Sequence, residues 1–93
     1  MEKKEITRKI TIINPEGLHA RPSALLVEKA SSFSSSIFIK KEEDMLVNAK
    51  SIMGVLALGA SKGTSLTFIA EGTDAEKALD ELEHLIIKRT FDE

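Results

Sequence analysis

The sequence contains no cysteine, tryptophan or tyrosine, and it has only two histidines. Without cysteine there is no disulfide framework and no thiolate chemistry, which suits a reducing cytoplasm. The two histidines are far apart and cysteine is absent, so we expect no metal site and no cofactor. The aromatic residues are four phenylalanines, which offer few stacking surfaces, so we expect no nucleic-acid partner.

The sequence also lacks a strong excess of either charge and has no long apolar run. Thirteen Lys and Arg against 15 Asp and Glu give a net charge of −2, and the basic residues are spread along the chain rather than gathered in a patch. No stretch approaches the ~20 apolar residues of a membrane span, and the charged start MEKKE is unlike a signal peptide. We therefore expect a cytoplasmic protein without membrane insertion, folded as a single domain over residues 1–93.

The most informative stretch is GLHARP, at residues 17–22. It follows a predicted strand, Ile6–Ile13, and opens a predicted helix that runs from Ala20 to about Phe33. Proline suits the first turn of a helix, and Gly17 can adopt the positive φ that a sharp strand-to-helix turn requires. The pattern therefore predicts that His19 lies at the N-terminus of the helix.

That position favours phosphate chemistry at His19. The first N–H groups of a helix are unpaired and the helix dipole is positive there, so an anion is stabilised. The backbone N–H groups of Ala20 and Arg21 would bind phosphate, and the Arg21 guanidinium adds a fork that matches its oxygens. An imidazole beside such a site is what reversible phosphorylation of a histidine nitrogen requires. The alternative is a histidine that merely caps the helix.

A second stretch, NAKSIMG at residues 48–54, predicts a short helix. Ser51 is a favoured N-cap residue and Gly59 can close the helix. More apolar side chains follow Ser51 than one helix face can bury; they are Ile52, Met53, Val55 and Leu56. We expect Ile52, Met53 and Leu56 to form an exposed partner surface, whereas the alternative is a fully buried helix.

The remaining elements follow from alternation and helical spacing. Strands are predicted at Ile37–Ile39, Met45–Asn48 and Thr64–Ala70, with a charged turn at residues 40–44. Leu66, Phe68 and Ala70 should face inward. The order βαββαβα predicts an α+β fold, an open-faced β-sandwich in which three helices cover one face of a four-stranded antiparallel sheet.

The last helix is predicted from a capping box and an apolar stripe. Thr73 and Glu76 have the spacing of the capping box. The stripe consists of Ala75, Ala78, Leu79, Leu82, Leu85 and Ile86. His84 lies off this stripe and should be a solvated surface residue, and residues 88–93 are expected to fray.

With these motifs in place, the chain resembles the HPr family, the histidine-containing phosphocarriers of the bacterial phosphoenolpyruvate-dependent phosphotransferase system. The resemblance covers nearly the whole chain and rests on GLHARP and NAKSIMG. It implies that His19 accepts a phosphoryl group on Nδ1 from phosphorylated enzyme I and passes it to enzyme IIA proteins for sugar uptake, while Arg21 holds the phosphate. Such a protein acts through a phosphohistidine intermediate rather than as a stand-alone enzyme, and we expect a monomer.

The resemblance also implies regulation at Ser51. In many bacteria an HPr kinase/phosphorylase modifies the matching serine, and a transcriptional regulator is a further possible partner. One alternative is therefore a regulatory interaction module that acts through Ser51, but purely regulatory family members lack the histidine that is present here. Another alternative is the nitrogen-related branch of the family, because residues 91–93 resemble the ending of some of its members. Glu16 departs from the Asn or Ser common in the family, and its carboxylate is expected either to repel the phosphate or to point to solvent.

Overall fold

A computed structural model describes residues 5–42 and 45–91. Within them the elements follow in the order β1 (Glu5–Thr11), α1 (Ala20–Ser31), β2 (Ser36–Glu42), β3 (Met45–Asn48), α2 (Ile52–Ala57), β4 (Ser65–Glu71) and α3 (Ala75–Glu83), and α3 continues as a π-helical turn (His84–Lys88). The strands form one antiparallel sheet in the order β1-β4-β2-β3. This confirms the predicted α+β fold, an open four-stranded antiparallel sheet with three helices.

The core lies between one face of the sheet and the helices. Side chains alternate across a strand, and Leu66, Phe68 and Ala70 of β4 are all buried as predicted. Phe68 lies between Arg8 of β1 and Ile39 of β2 in the sheet register. Arg8 shares this inward face at the sheet edge, where its guanidinium binds Asp80 of α3 at 2.7 Å. The predicted apolar stripe of the last helix is buried throughout.

Only β3 has the predicted bounds, and the largest differences are at the ends of β1 and β2, while β4 is shifted by one residue. β1 ends at Thr11 rather than Ile13. β2 is longer than the predicted Ile37–Ile39, because Lys40 and Glu42 still pair with β3 on the two sides of a register shift. The charged side chains of residues 40–42 suggested a turn. Strand pairing uses backbone groups, however, and charged side chains are tolerated beside an edge strand such as β3. The remainder of the predicted turn, residues 43–44, lies outside the described residues.

The predicted capping box at the start of α3 is wrong. The N-cap residue is Asp74 rather than Thr73, and its side chain makes no capping bond. Its carboxylate instead accepts hydrogen bonds from the backbone N–H groups of Ser34 at 3.0 Å and Ser35 at 2.9 Å, and from both serine hydroxyls. Asp74 therefore ties the loop between α1 and β2 to the start of α3.

These bonds make the stability sensitive to acid. Hydrogen bonds from Ser35 and Ser34 lower the pKa of Asp74 to about 2, against ~3.9 for an unfolded chain. A lowered folded pKa contributes stability that is present above the unfolded pKa and is lost as the pH falls through the folded pKa. We expect Asp74→Asn to unfold at lower urea concentration than the wild type at pH 7, and the difference to shrink between about pH 4 and pH 2.

Urea unfolding at several pH values measures this effect. Glu76→Gln, at an exposed position in the first turn of α3, is the control for removing one carboxylate from the start of the helix. A difference between wild type and Asp74→Asn that stays constant down to pH 2 would contradict the assignment.

The predicted fraying of residues 88–93 is wrong as far as the structure describes them. The Phe91 side chain is only 6% exposed, and its N–H donates to the carbonyl of Leu85 at 2.9 Å. Thr90 and Phe91 have φ values of 47° and 61°, the left-handed region that non-glycine residues rarely adopt. The π-helical turn and these two residues bring the chain back onto the core. Residues 92–93 lie outside the described residues.

Candidate functional site

The turn between β1 and α1 fixes the backbone of the site. The N–H of Gly17 donates to the carbonyl of Asn14 at 3.1 Å, and the Asn14 amide Nδ2 donates to the carbonyl of Gly17 at 2.7 Å. Gly17 has φ +68°, which confirms the predicted positive φ. The N–H of Leu18 donates to the carbonyl of Ala60 at 2.8 Å. The residue just before His19 is therefore held against a second segment of the chain.

His19 is the N-cap residue of α1, as the sequence predicts. Its backbone is extended and its carbonyl accepts the N–H of Ser23 at 3.0 Å. Its side chain makes no capping bond and is 52% exposed. The first turn of α1 contains no acidic residue, so no carboxylate there offsets the positive end of the helix dipole. The imidazole is thus presented to solvent from a backbone that the helix holds in place.

Arg21 lies in the same cavity as His19. The two side chains line a cavity of about 240 Å³ together with Asn14, Pro15, Glu16, Pro22, Thr90 and Phe91. Ala20 and Arg21 are the first two residues of α1, and the N–H groups in the first turn have no partner within the helix. The structure therefore brings His19 and Arg21 to one cavity, whereas the binding of phosphate by the N–H groups of Ala20 and Arg21 stays a prediction.

Asn14 and Phe91 are cavity residues that sequence reasoning missed. Asn14 reads as an ordinary turn residue, yet its side chain is 5% exposed and its Oδ1 accepts no hydrogen bond from the described residues. Phe91 follows the last periodic apolar position, so helical spacing gave no signal for it. Asn14 is held by hydrogen bonds within its own turn, whereas Phe91 reaches the cavity from the other end of the chain.

Glu16 lies beside the ring of His19. Its Oε1 is 3.9 Å from Nε2 of His19, and the Glu16 side chain is 76% exposed. The carboxylate therefore lies at the Nε2 end of the imidazole, whereas the family resemblance assigns the phosphoryl group to Nδ1. The sequence left two alternatives for Glu16: its carboxylate repels the phosphate, or it points to solvent. In the structure the carboxylate is exposed to solvent and also lies beside the His19 ring.

Ser51 caps α2, as predicted. Its Oγ accepts the N–H of Gly54 at 3.1 Å. In α2 only Val55 is buried, whereas Ile52, Met53 and Leu56 are exposed, and Met53 reaches 73% exposure. The alternative of a fully buried helix is therefore wrong. The use of this exposed apolar surface by a partner stays a prediction.

A larger cavity, of about 470 Å³, lies away from His19. It is formed by the second half of α1 and the end of α3. Two of its charged side chains pair with each other, since Lys29 binds Glu81 at 3.3 Å. His84 lines this cavity and is exposed off the apolar stripe, as predicted. It lies inside a helical segment rather than at a helix N-terminus, so the environment that favours a phosphate at His19 is missing there.

Within the described ranges, 5–42 and 45–91, no helix is long and apolar enough to cross a membrane. Within the same ranges, no three His, Cys, Asp or Glu side chains are grouped so that they could hold a metal ion.

Comparison with known proteins agrees with this geometry. The phosphocarrier protein HPr of Treponema pallidum is 42% identical over 80 residues, which cover 86% of this chain and 90% of that protein. A crystal structure of HPr from Thermoanaerobacter tengcongensis covers 97% of both chains with 49% identity and a TM-score of 0.84. A crystal structure of Crh from Bacillus subtilis, 40% identical, covers 89% of this chain and 94% of that one with a TM-score of 0.70, and is described as a swapped dimer. The expected monomer therefore stays a prediction.

The family match covers both motifs and the site. A family model described as the phosphorylation site of the HPr component of the phosphotransferase system matches residues 6–88. This range includes His19 with Arg21 at the start of α1, and Ser51 at the start of α2. Together with HPr relatives that match almost end to end, it shows that the chain belongs to the HPr family of phosphocarriers of the phosphotransferase system.

Proposed function

We propose that this protein accepts a phosphoryl group on His19 from phosphorylated enzyme I and passes it to enzyme IIA proteins for sugar uptake. One observation carries the proposal: an exposed imidazole without a capping bond lies at the N-terminus of a 12-residue helix, in one cavity with Arg21. A histidine that merely capped the helix would use its side chain for a backbone N–H, and this one does not.

The transfer places distinct demands on these groups. The lone pair of Nδ1 attacks phosphorus, the bond from phosphorus to the donor nitrogen of enzyme I breaks, and its electron pair stays with that nitrogen. Negative charge spreads over the three phosphoryl oxygens in the transition state. Arg21 and the N–H groups of Ala20 and Arg21 would hold these oxygens, and hydrogen bonds to a charged group contribute about 1.5–3 kcal/mol. Transfer to an enzyme IIA protein reverses these steps at His19.

Incubation with phosphoenolpyruvate and a general enzyme I, followed by acid treatment, tests the proposal. Phosphohistidine is labile in acid whereas phosphoserine is stable, so one gel separates the two products. We expect a label that requires enzyme I and is lost in acid. An absent label would contradict the carrier role, and an acid-stable label would move the chemistry to a hydroxyl group.

A second candidate function is regulatory and uses Ser51. It is favoured by a hydroxyl at the start of α2 directly beside the exposed Ile52 and Met53, and a relative named Crh is described as a catabolite repression protein. We propose that an HPr kinase/phosphorylase modifies Ser51 and that the modified surface, with Leu56, binds a transcriptional regulator. The nitrogen-related branch remains the alternative for the pathway that the carrier serves, and both roles can coexist in one chain.

Ser51→Asp is expected to slow phosphorylation of His19 severalfold while the melting temperature changes little. Aspartate is also a favoured N-cap residue and its charge suits the positive end of a helix, so the fold should tolerate it. The added charge disfavours docking of an apolar or acidic partner onto Ile52 and Met53, because it must lose its water. Initial rates with enzyme I and thermal unfolding measure the two effects.

Ser51→Asn is the matched control, because it keeps a capping oxygen without the charge. We expect it to transfer at close to the wild-type rate. If Ser51→Asp unfolds the protein, the serine is structural. An unchanged transfer rate in Ser51→Asp would mean that enzyme I does not dock on Ile52 and Met53.

A further inference from the structure

Among the described residues, Glu16 is the acidic residue that lies at the His19 ring, and its carboxylate approaches the ring at Nε2. The Oε1 atom of Glu16 lies 3.9 Å from Nε2 of His19. The two residues flank Gly17 and Leu18, whose backbone is held by Asn14 and Ala60. The carboxylate is therefore kept within reach of the ring. A hydrogen bond needs about 2.7–3.2 Å, and a rotation of the exposed Glu16 side chain can provide the remaining distance.

We propose that Glu16 is a positioning residue for His19: its carboxylate holds the N–H of Nε2 and thereby leaves Nδ1 as the nucleophile and leaving group. This inference rests on the proposed function at His19 and deepens it. The tautomer of a neutral histidine is set by the hydrogen bond that one of its nitrogens makes. A carboxylate at Nε2 selects the form with the proton on Nε2 and the lone pair on Nδ1.

The same contact acts on the phosphorylated ring. When phosphorus occupies Nδ1 and Nε2 keeps its proton, the ring is cationic and the nearby carboxylate stabilises it. As the bond between phosphorus and Nδ1 breaks, the electron pair returns to Nδ1 and a neutral histidine leaves. The proton stays on Nε2 throughout, so Glu16 serves both directions of transfer without a separate proton step. Without that proton the leaving group would be an imidazolate, which is much poorer.

The other charges among the described cavity residues leave this role to Glu16. Besides His19, the titratable side chains among these residues are those of Glu16 and Arg21. Arg21 and the positive end of α1 both act against a cationic ring, and the described residues of the C-terminal turn in the cavity, Thr90 and Phe91, are uncharged. Glu16 is thus the one anionic side chain among them that favours the proton on Nε2. Because the pair is exposed, its effect is modest.

Hydrolysis of phosphohistidine measured against pH tests this role. In a His84→Gln background one histidine remains, and phosphoramidate supplies the phosphoryl group without enzyme I. We expect Glu16→Gln to hydrolyse about two- to fivefold more slowly than the parent at pH 7.5, and the midpoint of its pH–rate profile to move to lower pH. Glu16→Asp, which keeps the charge, should recover part of the rate. Glu28→Gln, an exposed carboxylate of α1, is the control for net charge and should match the parent.

Ring ¹⁵N signals of the unphosphorylated protein give an independent readout. We expect the share of the Nε2–H tautomer to fall in Glu16→Gln and to remain in Glu28→Gln. Equal pH–rate profiles and equal tautomer shares in Glu16→Gln and the parent would overturn the role of Glu16. Because these measurements do not use enzyme I, a failure of enzyme I to label His19 would contradict the proposed carrier function and leave this test intact.

Discussion

Replacing His19 by alanine is expected to abolish phosphorylation from phosphoenolpyruvate and enzyme I while the fold is retained. The side chain supplies the proposed nucleophile, and alanine has no atom that can replace it. The imidazole is half exposed and makes no capping bond, so its removal takes no packing from the core. We expect the melting temperature to change by only a few degrees. Labelling with enzyme I and thermal unfolding followed by circular dichroism measure the two effects.

His84→Ala is the matched control, since His84 is the other histidine of the chain and is also exposed. It should be labelled like the wild type. Labelling of His19→Ala at the wild-type level would move the site to His84 or to another residue. If His19→Ala loses both the label and the fold, His19→Gln distinguishes the two causes. Its longer polar side chain is expected to keep the fold while it still lacks the nucleophile.

Local sequence rules predict the part of the site that is made from adjacent residues. Gly17 and Pro22 mark the end of a turn and the first turn of a helix, and these two constraints place His19 at the start of α1. Ser51 caps α2 for the same kind of local reason. Alternation in β4 and the stripe of α3 predict the inward faces, because burial follows the period of each element.

Contacts made across long distances in the chain, both in the fold and at the site, could not be predicted. Asp74 meets Ser34 and Ser35, about half a chain away, and this tertiary contact overrides the local capping pattern of Thr73. Phe91 reaches the His19 cavity only because a π-helical turn and two left-handed residues redirect the chain. Neither contact produces a periodic pattern in the sequence. For Phe91 the apolar periodicity simply stops, and the end of the chain was therefore predicted to fray.

Gly17→Ala is expected to lower the free energy of unfolding by about 3 kcal/mol, roughly 10–25 °C in melting temperature for a domain of this size. Two costs add. A non-glycine residue in the left-handed region costs ~1–2 kcal/mol, and Gly17 has φ +68°. A Cβ would also lie 2.5 Å from the carbonyl oxygen of Ala60 and 2.8 Å from Cα of Ser61. These are backbone atoms that cannot rotate away, and forced overpacking costs typically 1–3 kcal/mol.

Gly59→Ala separates the two costs, because Gly59 has a similar φ of +57° but open space where a Cβ would lie. It should lose only the ~1–2 kcal/mol of the conformational cost. The clash in Gly17→Ala pushes the turn away from Ala60, whose carbonyl accepts the N–H of Leu18. His19 follows directly, so we expect slower phosphorylation in Gly17→Ala even at temperatures where the variant is fully folded. Equal stability losses in the two variants would mean that the segment at Ala60 yields without cost, and that the turn is not what fixes His19.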